Sequence, residues 1–384
     1  MLIALFEENE GLDLWPLSAT RPVGELRVGI MTIAEKWATL LNAEVMHETR
    51  DYLYEKFGSD SKTVDLRISA HVLPTKEIKE SILQLKEDQT LIVNDRVIAI
   101  KGSGSQKITV DCNVSFVDRP FHIFKFAGDQ IISDFTSITK DRKSIEISST
   151  NTIIGDHPVF MEEGSKAECC IFNTTDGPIY IGKNAQVMEG SIIRGPFAMC
   201  EGSNVKMGSK IYSNSALGPY CNVGGELNNV VMQGYSNKGH DGFLGNAVLG
   251  EWCNIGADTN CSNLKNTYDQ VKVWNYRTNR FERSGEQFCG LIMGDHSKCG
   301  INTMFNTGTV VGVGCNIYGS GFPRQFVPDF SWGGANGFTT HKLPQMEKTA
   351  QLMMVRRKKE FNESEKSIIH SVFERSKEWR NWED

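Results

Sequence analysis

The chain has 384 residues, enough for two or more domains, with 40% hydrophobic and 23% charged residues, as in ordinary soluble globular proteins. A formal net charge of −6 argues against broad, non-specific nucleic-acid binding and leaves room for a local basic pocket for phosphates. No window approaches a membrane span, and the apolar run at the amino end is too short for a signal peptide; the expected location is cytoplasmic.

Leu2 to Phe6 is a short apolar run and the expected first buried strand, with a polar loop after it over Glu7-Glu8-Asn9-Glu10-Gly11. Val23 to Leu41 ends in an amphipathic helix pattern at Ile30, Ile33, Ala34, Trp37, Leu40 and Leu41. Leu91-Ile92-Val93 is a second strand-like run, ending in the polar pair Asn94-Asp95. Strand, loop, helix and a strand ending in an acidic residue is the order of an open α/β sheet, which binds ligands at the carboxyl ends of its strands. On that reading Asn94-Asp95 holds a metal or a ribose; the plain alternative is a turn. Arg21 and Arg27 meet phosphates, because guanidinium matches phosphate geometry; the alternative is a solvated or ion-paired arginine. Asp118 to Phe124 is expected to be a turn and a short helix, and Asp134-Phe135 to begin the connection to the next domain. Phenylalanines 116, 121, 124, 126 and 135 read as a core joining two domains rather than a base-stacking platform.

From Ile181 the sequence repeats every six residues. Ile181, Val187, Ile193, Met199, Val205, Ile211, Leu217 and Val223 are all apolar, and a mostly small residue follows four positions after each. The register returns at Leu249, Ile255 and Cys261, and again at Met293, Cys299, Phe305, Val311 and Ile317. A six-residue period suits neither an amphipathic helix nor strand alternation; it suits a left-handed parallel β-helix of short strands with aliphatic residues stacked inward. Its ragged start is expected near Thr152, with one break from Glu226 to Leu244, a second, basic one from Ser262 to Gly290, and an end at Ser320. Insertions in solenoids form loops, and binding usually lives there. Several of the ten cysteines fall on hexad positions and read as buried reduced thiols; none has zinc-ligand spacing. After a glycine-rich aromatic loop at Phe330 to Gly334, the tail from Leu343 is helical by pattern, with Pro344 suited to a helix start. Its basic run, Arg356-Arg357-Lys358-Lys359, is either a solvated helix face or a phosphate contact at a coenzyme site.

The segment Lys238-Gly239-His240-Asp241-Gly242-Phe243-Leu244-Gly245, continuing through Asn254-Ile255-Gly256-Ala257 to Asn263, resembles a known acetyltransferase domain. That domain belongs to the bifunctional N-acetylglucosamine-1-phosphate uridylyltransferase/glucosamine-1-phosphate acetyltransferase family. The resemblance implies His240 as catalytic base, with Lys238, Glu226, Asn254 and Asn263 at substrate positions. Lys265, in the basic second break, is a further candidate for the sugar phosphate or the coenzyme pyrophosphate. Phe243 and Leu264 stand where the family has tyrosines, and Asn228 where it has a lysine, so a different acceptor sugar is expected. At the amino end, Pro16-Leu17-Ser18 and Thr20-Arg21-Pro22 resemble the second half of the sugar-phosphate nucleotidyltransferase signature, while Glu7 to Gly11 replaces its glycine-rich half.

The resemblance therefore implies a nucleotidyltransferase-like α/β domain at 1–150, a β-helix acyltransferase-like domain at 151–325, and a loop and helical tail at 326–384. It implies acetyl-CoA as cosubstrate, Mg²⁺ with a nucleoside triphosphate (UTP or dTTP), a sugar phosphate acceptor and a homotrimer, with no nucleic-acid or membrane partner. In the nucleotidyl half, Arg21 and Arg27 would hold phosphates and Asp95 the metal. Two rival readings are a nucleotidyltransferase that uses its β-helix only as a trimerisation platform, and a non-catalytic scaffold that binds a sugar nucleotide.

Overall fold

The computed structural model describes residues 1–58 and 64–383. The amino-terminal part is an α/β layer with strands β1 (Leu2–Phe6), β2 (Glu44–Glu48), β3 (Leu66–Ser69), β4 (Gln89–Val93), β5 (Arg96–Ile100) and β6 (Gln106–Thr109). Its helices are α1 (Ile33–Leu41), α2 (Asp51–Phe57), α3 (Lys76–Leu83) and α4 (Pro120–Ile138). The six strands lie in the order β2-β1-β3-β5-β4-β6, with β1 parallel to both β2 and β3. As expected, β1 is a buried strand, and α1 carries the amphipathic stripe over 33–41. A reciprocal capping box fixes where α1 begins: Glu35 N–H donates to the Thr32 hydroxyl, and the Glu35 carboxylate accepts from Thr32 N–H.

Three expectations change here. Leu91 to Val93 does not end at a ligand-binding strand tip. It is one arm of an antiparallel hairpin with β5, and Asn94 (φ 50°) and Asp95 (φ 60°) are its two-residue turn. Both turn residues need positive φ, which asparagine and aspartate tolerate best after glycine. Helix α4 runs for 19 residues from Pro120, so Asp134-Phe135 lies inside it and the connection follows it. Asp134 is kept there by structure: its carboxylate accepts from Ile30 N–H (2.8 Å) and Met31 N–H (3.0 Å) and pairs with buried Lys36.

From Thr152 the chain winds into a left-handed parallel β-helix. Its triangular section has three faces. On face two, the inward residues Ile181, Met199, Leu217, Met232, Leu249, Met293 and Val311 stack in register and are buried. The outward row of the same face, running through Ala198, Ala216, Val231, Val248 and Ile292, is also apolar and buried. Helix α4 packs on that row, so one hydrophobic cluster runs from the amino-terminal sheet across the outside of the solenoid to the carboxyl-terminal helices. A second cluster fills the solenoid interior, including Cys170, Cys221, Cys253, Cys261, Cys299 and Cys315.

The expected break from Glu226 to Leu244 is not a loop. Glu226–Gly234 and Phe243–Glu251 are paired strands of the solenoid, and Asn237–Lys238 adds another rung between them. The second break is real: between Cys261 and Ile292 the chain leaves the coil and forms an antiparallel hairpin, Lys272–Asn275 with Arg280–Arg283. The solenoid also continues past Ser320 and past the boundary at 325, because Phe326–Val327 and Ser331–Gly334 pair onto it as further rungs. The tail then forms α5 (Leu343–Val355), with proline at its first turn, and α6 (Glu363–Arg375).

Candidate active site

Face three builds the site around His240. Its outward column reads Asn204, Asn222, Asn237, Asn254, Lys298 and Asn316, one residue per coil. The asparagines form a ladder: Asn204 Nδ2 donates to Asn222 Oδ1 (3.1 Å), and Asn222 Nδ2 donates to Asn237 Oδ1 (2.7 Å). The carboxyl end of α5 crosses this column, and Arg357 Nη2 reaches Asn237 Oδ1 at 3.2 Å. Between solenoid and helix lies a cleft of about 740 Å³, lined by His240, Asn254, Lys206, Lys298, Arg356 and Arg357 among others. No carboxylate lines it among the described residues. Burial pushes the Lys298 ammonium down to about 8. The cleft thus joins an exposed imidazole to a concentrated positive field, the complement of an anionic ligand such as a pyrophosphate.

Lys238 has a different place from the one its motif implies. It sits in the inward column of face three, where Val187, Val205 and Val223 precede it. Its buried ammonium donates to Gly224 O (2.9 Å) and to His240 O (2.8 Å). Burial lowers it to about 8. Lys238 therefore holds the backbone of the histidine from inside the solenoid and does not line the cleft.

The structure brings His240 and Asn254 together, but not the other carbohydrate-site candidates. Glu226 lies on face one, built by Ile171–Asn173, Ile192–Arg194, Lys210–Ile211 and the strand starts at Glu226 and Phe243, 3.9 Å from Lys210 and opposite Phe243. Asn263 donates to Asn246 Oδ1 (2.8 Å), and Lys265 turns back to Gln270 O (3.1 Å) within the excursion. None of these three lines the His240 cleft.

The arginines expected at phosphates are also committed elsewhere. Arg21 is buried between the two halves and pairs with Glu251 (2.9 Å) and Asp295. Burial alone would lower its pKa, but these two carboxylates raise it. Arg27 is buried too, bonded to Ile30 O and through its backbone N–H to Gln233 Oε1 (2.6 Å). Both stitch the amino-terminal layer to the solenoid. Asp95 stays in its hairpin turn. Among the described residues no cluster of three or more His, Cys, Asp or Glu side chains is arranged to hold a metal ion.

A second crevice, of about 270 Å³, opens at the carboxyl ends of β1 and β3. The chain passes from β1 to β2 on one side and returns to β3 on the other, so this is the switch point where open α/β sheets bind ligands. Arg96 bridges Glu8 (2.9 Å) and Asp118 (2.7 Å) across it. Burial would raise the Asp118 carboxyl, but hydrogen bonds from His71 and Arg96 bring it down to about 2. Sequence reading missed Arg96, His71 and Asp118, because they are scattered singly and only the sheet order assembles them. Lys298 was legible in principle: it occupies the slot that asparagine fills in neighbouring coils.

Residues 3–143 match the family model described as sugar nucleotidyl transferase. No curated protein matches the chain in sequence. Among solved structures the chain is similar to the polySia-specific acetyltransferase NeuO, at 12% identity over 50% of this chain and 87% of that one, with a TM-score of 0.25. It is also similar to the Arabidopsis UDP-N-acetylglucosamine acyltransferase, at 13% identity over 55% and 81%, with a TM-score of 0.23. A third similar structure is the UDP-N-acetylglucosamine acyltransferase from Campylobacter jejuni, at 13% identity over 59% and 95%, with a TM-score of 0.17. The family match over the amino-terminal layer supports a sugar-related transferase.

Proposed function

We propose that the chain works in sugar-nucleotide synthesis as a two-site transferase. The solenoid cleft transfers an acetyl group from acetyl-CoA to an amino-sugar phosphate, and the amino-terminal crevice joins a sugar 1-phosphate to UTP or dTTP with release of pyrophosphate. The observation that carries the first half is His240 sharing one cleft with Lys206, Lys298, Arg356 and Arg357. The cations suit the coenzyme's phosphates, and an imidazole can take a proton and return it, which suits a general base. In the step itself the acceptor amine attacks the thioester carbonyl carbon while His240 takes its proton. The carbon–sulfur bond then breaks, and the thiolate leaves with the proton returned by the imidazolium. The second half is supported by the family match and by the crevice at the β1/β3 switch point. A magnesium ion carried on a triphosphate would need only one or two protein carboxylates, and the crevice lining offers Glu8, Asp13, Asp118 and Glu282. A homotrimer remains the expected assembly for this solenoid.

The test uses the full chain with acetyl-CoA and a panel of amino-sugar phosphates, following thiol release. His240→Ala is expected to lower the rate by about 10²–10⁴-fold. A variant as active as the parent removes the base assignment. Pyrophosphate release from UTP or dTTP with sugar 1-phosphates, without acetyl-CoA, reads the second activity separately.

A further inference from the structure

The amino-terminal crevice is not built by the amino-terminal layer alone. The hairpin that leaves the solenoid at 272–283 forms its opposite wall, contributing Asn275, Arg277 and Glu282. Two ion pairs tie that wall to the α/β layer: Arg119 Nη1 to Glu282 Oε2 (2.6 Å) and Arg277 Nε to Asp13 Oδ1 (2.7 Å). The wall is ordered from within as well. Asn275 Nδ2 donates to Glu282 Oε2 (2.9 Å), and the Thr278 hydroxyl donates to Glu282 Oε1 (2.7 Å). Burial would raise Glu282, but these hydrogen bonds and the Arg119 charge bring it down to about 2, so it is a carboxylate at any ordinary pH. Arg277 stands at the rim, with its side chain 48% exposed.

The chemistry of the two cavities differs in a way that separates their ligands. Among the described residues the His240 cleft is lined by four cations and no carboxylate, which suits a polyanion. The crevice alternates carboxylates with guanidiniums, and a bare polyanion there would meet Glu8, Asp118 and Glu282 at a Coulombic cost. A hydroxyl both donates and accepts, so a polyhydroxylated ring finds acceptors and donors on both walls. A volume of about 270 Å³ is near the lower bound of small-ligand sites, roughly 300 Å³.

We propose that the solenoid hairpin is the specificity wall of the amino-terminal crevice. The sugar ring of a sugar phosphate is held between Glu8 and Asp118 on one side and Asn275 and Glu282 on the other, and its phosphate rests against Arg277 at the rim. The inference rests on the nucleotidyl-transfer reading for the chemical class of the ligand. It adds that the β-helix supplies part of that site, so the two halves form one binding unit.

The experiment is calorimetric titration of the full chain with glucose 1-phosphate, galactose 1-phosphate and N-acetylglucosamine 1-phosphate. Arg277→Ala, Asn275→Ala and Arg194→Ala are compared with the parent. Arg194 pairs with Asp176 on the exposed solenoid, away from the crevice lining, and serves as the control. At least one sugar 1-phosphate is expected to bind the parent. Arg277→Ala should weaken it by about tenfold or more, as for loss of a hydrogen bond to a charged group. Asn275→Ala should change the order of preference among the three sugars, and Arg194→Ala should match the parent. Absence of binding to all three probes overturns the proposal, as does parental affinity in both hairpin variants. Pyrophosphate release measured on the same variants separates the two layers of the reading. Hairpin-dependent binding without turnover upholds the wall and removes the nucleotidyl activity. Turnover whose KM ignores both hairpin variants upholds that activity and overturns the wall.

Discussion

Lys238 is a charged residue in a column of valines, and its position is intelligible only through what its ammonium touches. It satisfies two backbone carbonyls, Gly224 O and His240 O. Lys238→Met fills the same volume without donors. It should leave one buried carbonyl, Gly224 O, unsatisfied at a cost of about 1–3 kcal/mol, free the part-buried His240 O, and loosen the histidine backbone. Urea unfolding should show the loss, and thiol release should fall further than the lost folded fraction accounts for. Arg21 makes the opposite point. Sequence placed it at a phosphate; burial and two carboxylates place it between the halves. Arg21→Ala strands Asp295 inside the protein, and removing one partner of a buried pair typically costs about 3–5 kcal/mol. Equilibrium urea denaturation at neutral pH checks this. A midpoint equal to the parent's would return Arg21 to the list of ligand contacts.

At the scale of elements, α5 is the piece that turns an asparagine ladder into a cleft. Its end brings Arg356 and Arg357 over Asn237 and Asn254. Reversing both charges, Arg356→Glu with Arg357→Glu, should weaken acetyl-CoA binding by at least tenfold at low salt, with the difference shrinking as salt rises, because these groups are partly exposed and screened. Titration at two ionic strengths reads it; salt-independent, parental affinity would remove α5 from the coenzyme site. The hexads made the solenoid legible because inward stacking demands an aliphatic residue at every turn, whatever the neighbours. What they hid was a change of coil length. Asn204 and Asn222, bonded across adjacent coils, are separated by 18 residues, whereas Asn222 and Asn237 are separated by 15. A shortened coil loses the period in sequence while keeping the pairing in space, so Glu226 to Leu244 looked like an insertion and is a pair of strands. The same slip hid Lys238, whose inward slot can be counted only once the short coil is known. The hairpin at 272–283 was visible as a polar excursion, but its destination was not, since the contacts Arg119–Glu282 and Asp13–Arg277 span 163 and 264 residues.

At the scale of the whole molecule, the solenoid is a shared wall. Face two is buried under α4 and the amino-terminal layer, face three meets α5, and face one leaves Ile154, Ile171 and Ile192 exposed. Groups buried inside and against that wall set how stability depends on pH above neutrality, and two sets of them oppose each other. Lys238 and Lys298 are held near 8 by burial, below the unfolded value of 10.5. Between those values the unfolded chain binds more protons than the folded one, so their contribution to stability rises with pH. The buried thiols act in the other direction. Burial raises Cys221, Cys289 and Cys315 from 9.0 to about 12, and Cys170, Cys253, Cys261 and Cys299 are raised as well. Their stabilising effect is complete below pH 9 and is lost as pH climbs through the folded values. A shift of about three pH units is worth roughly 4 kcal/mol per thiol at the limit, so Cys221, Cys289 and Cys315 alone outweigh the two lysines. Urea midpoints should therefore rise slightly from pH 8 to 9 and fall steeply above it. Lys238→Met should flatten the first limb and steepen the second up to about pH 10.5. A parent curve already falling from pH 8, or a variant with an unaltered first limb, would mean that the inward ammonium of Lys238 is not held in the low-dielectric interior from which its role beside His240 is argued.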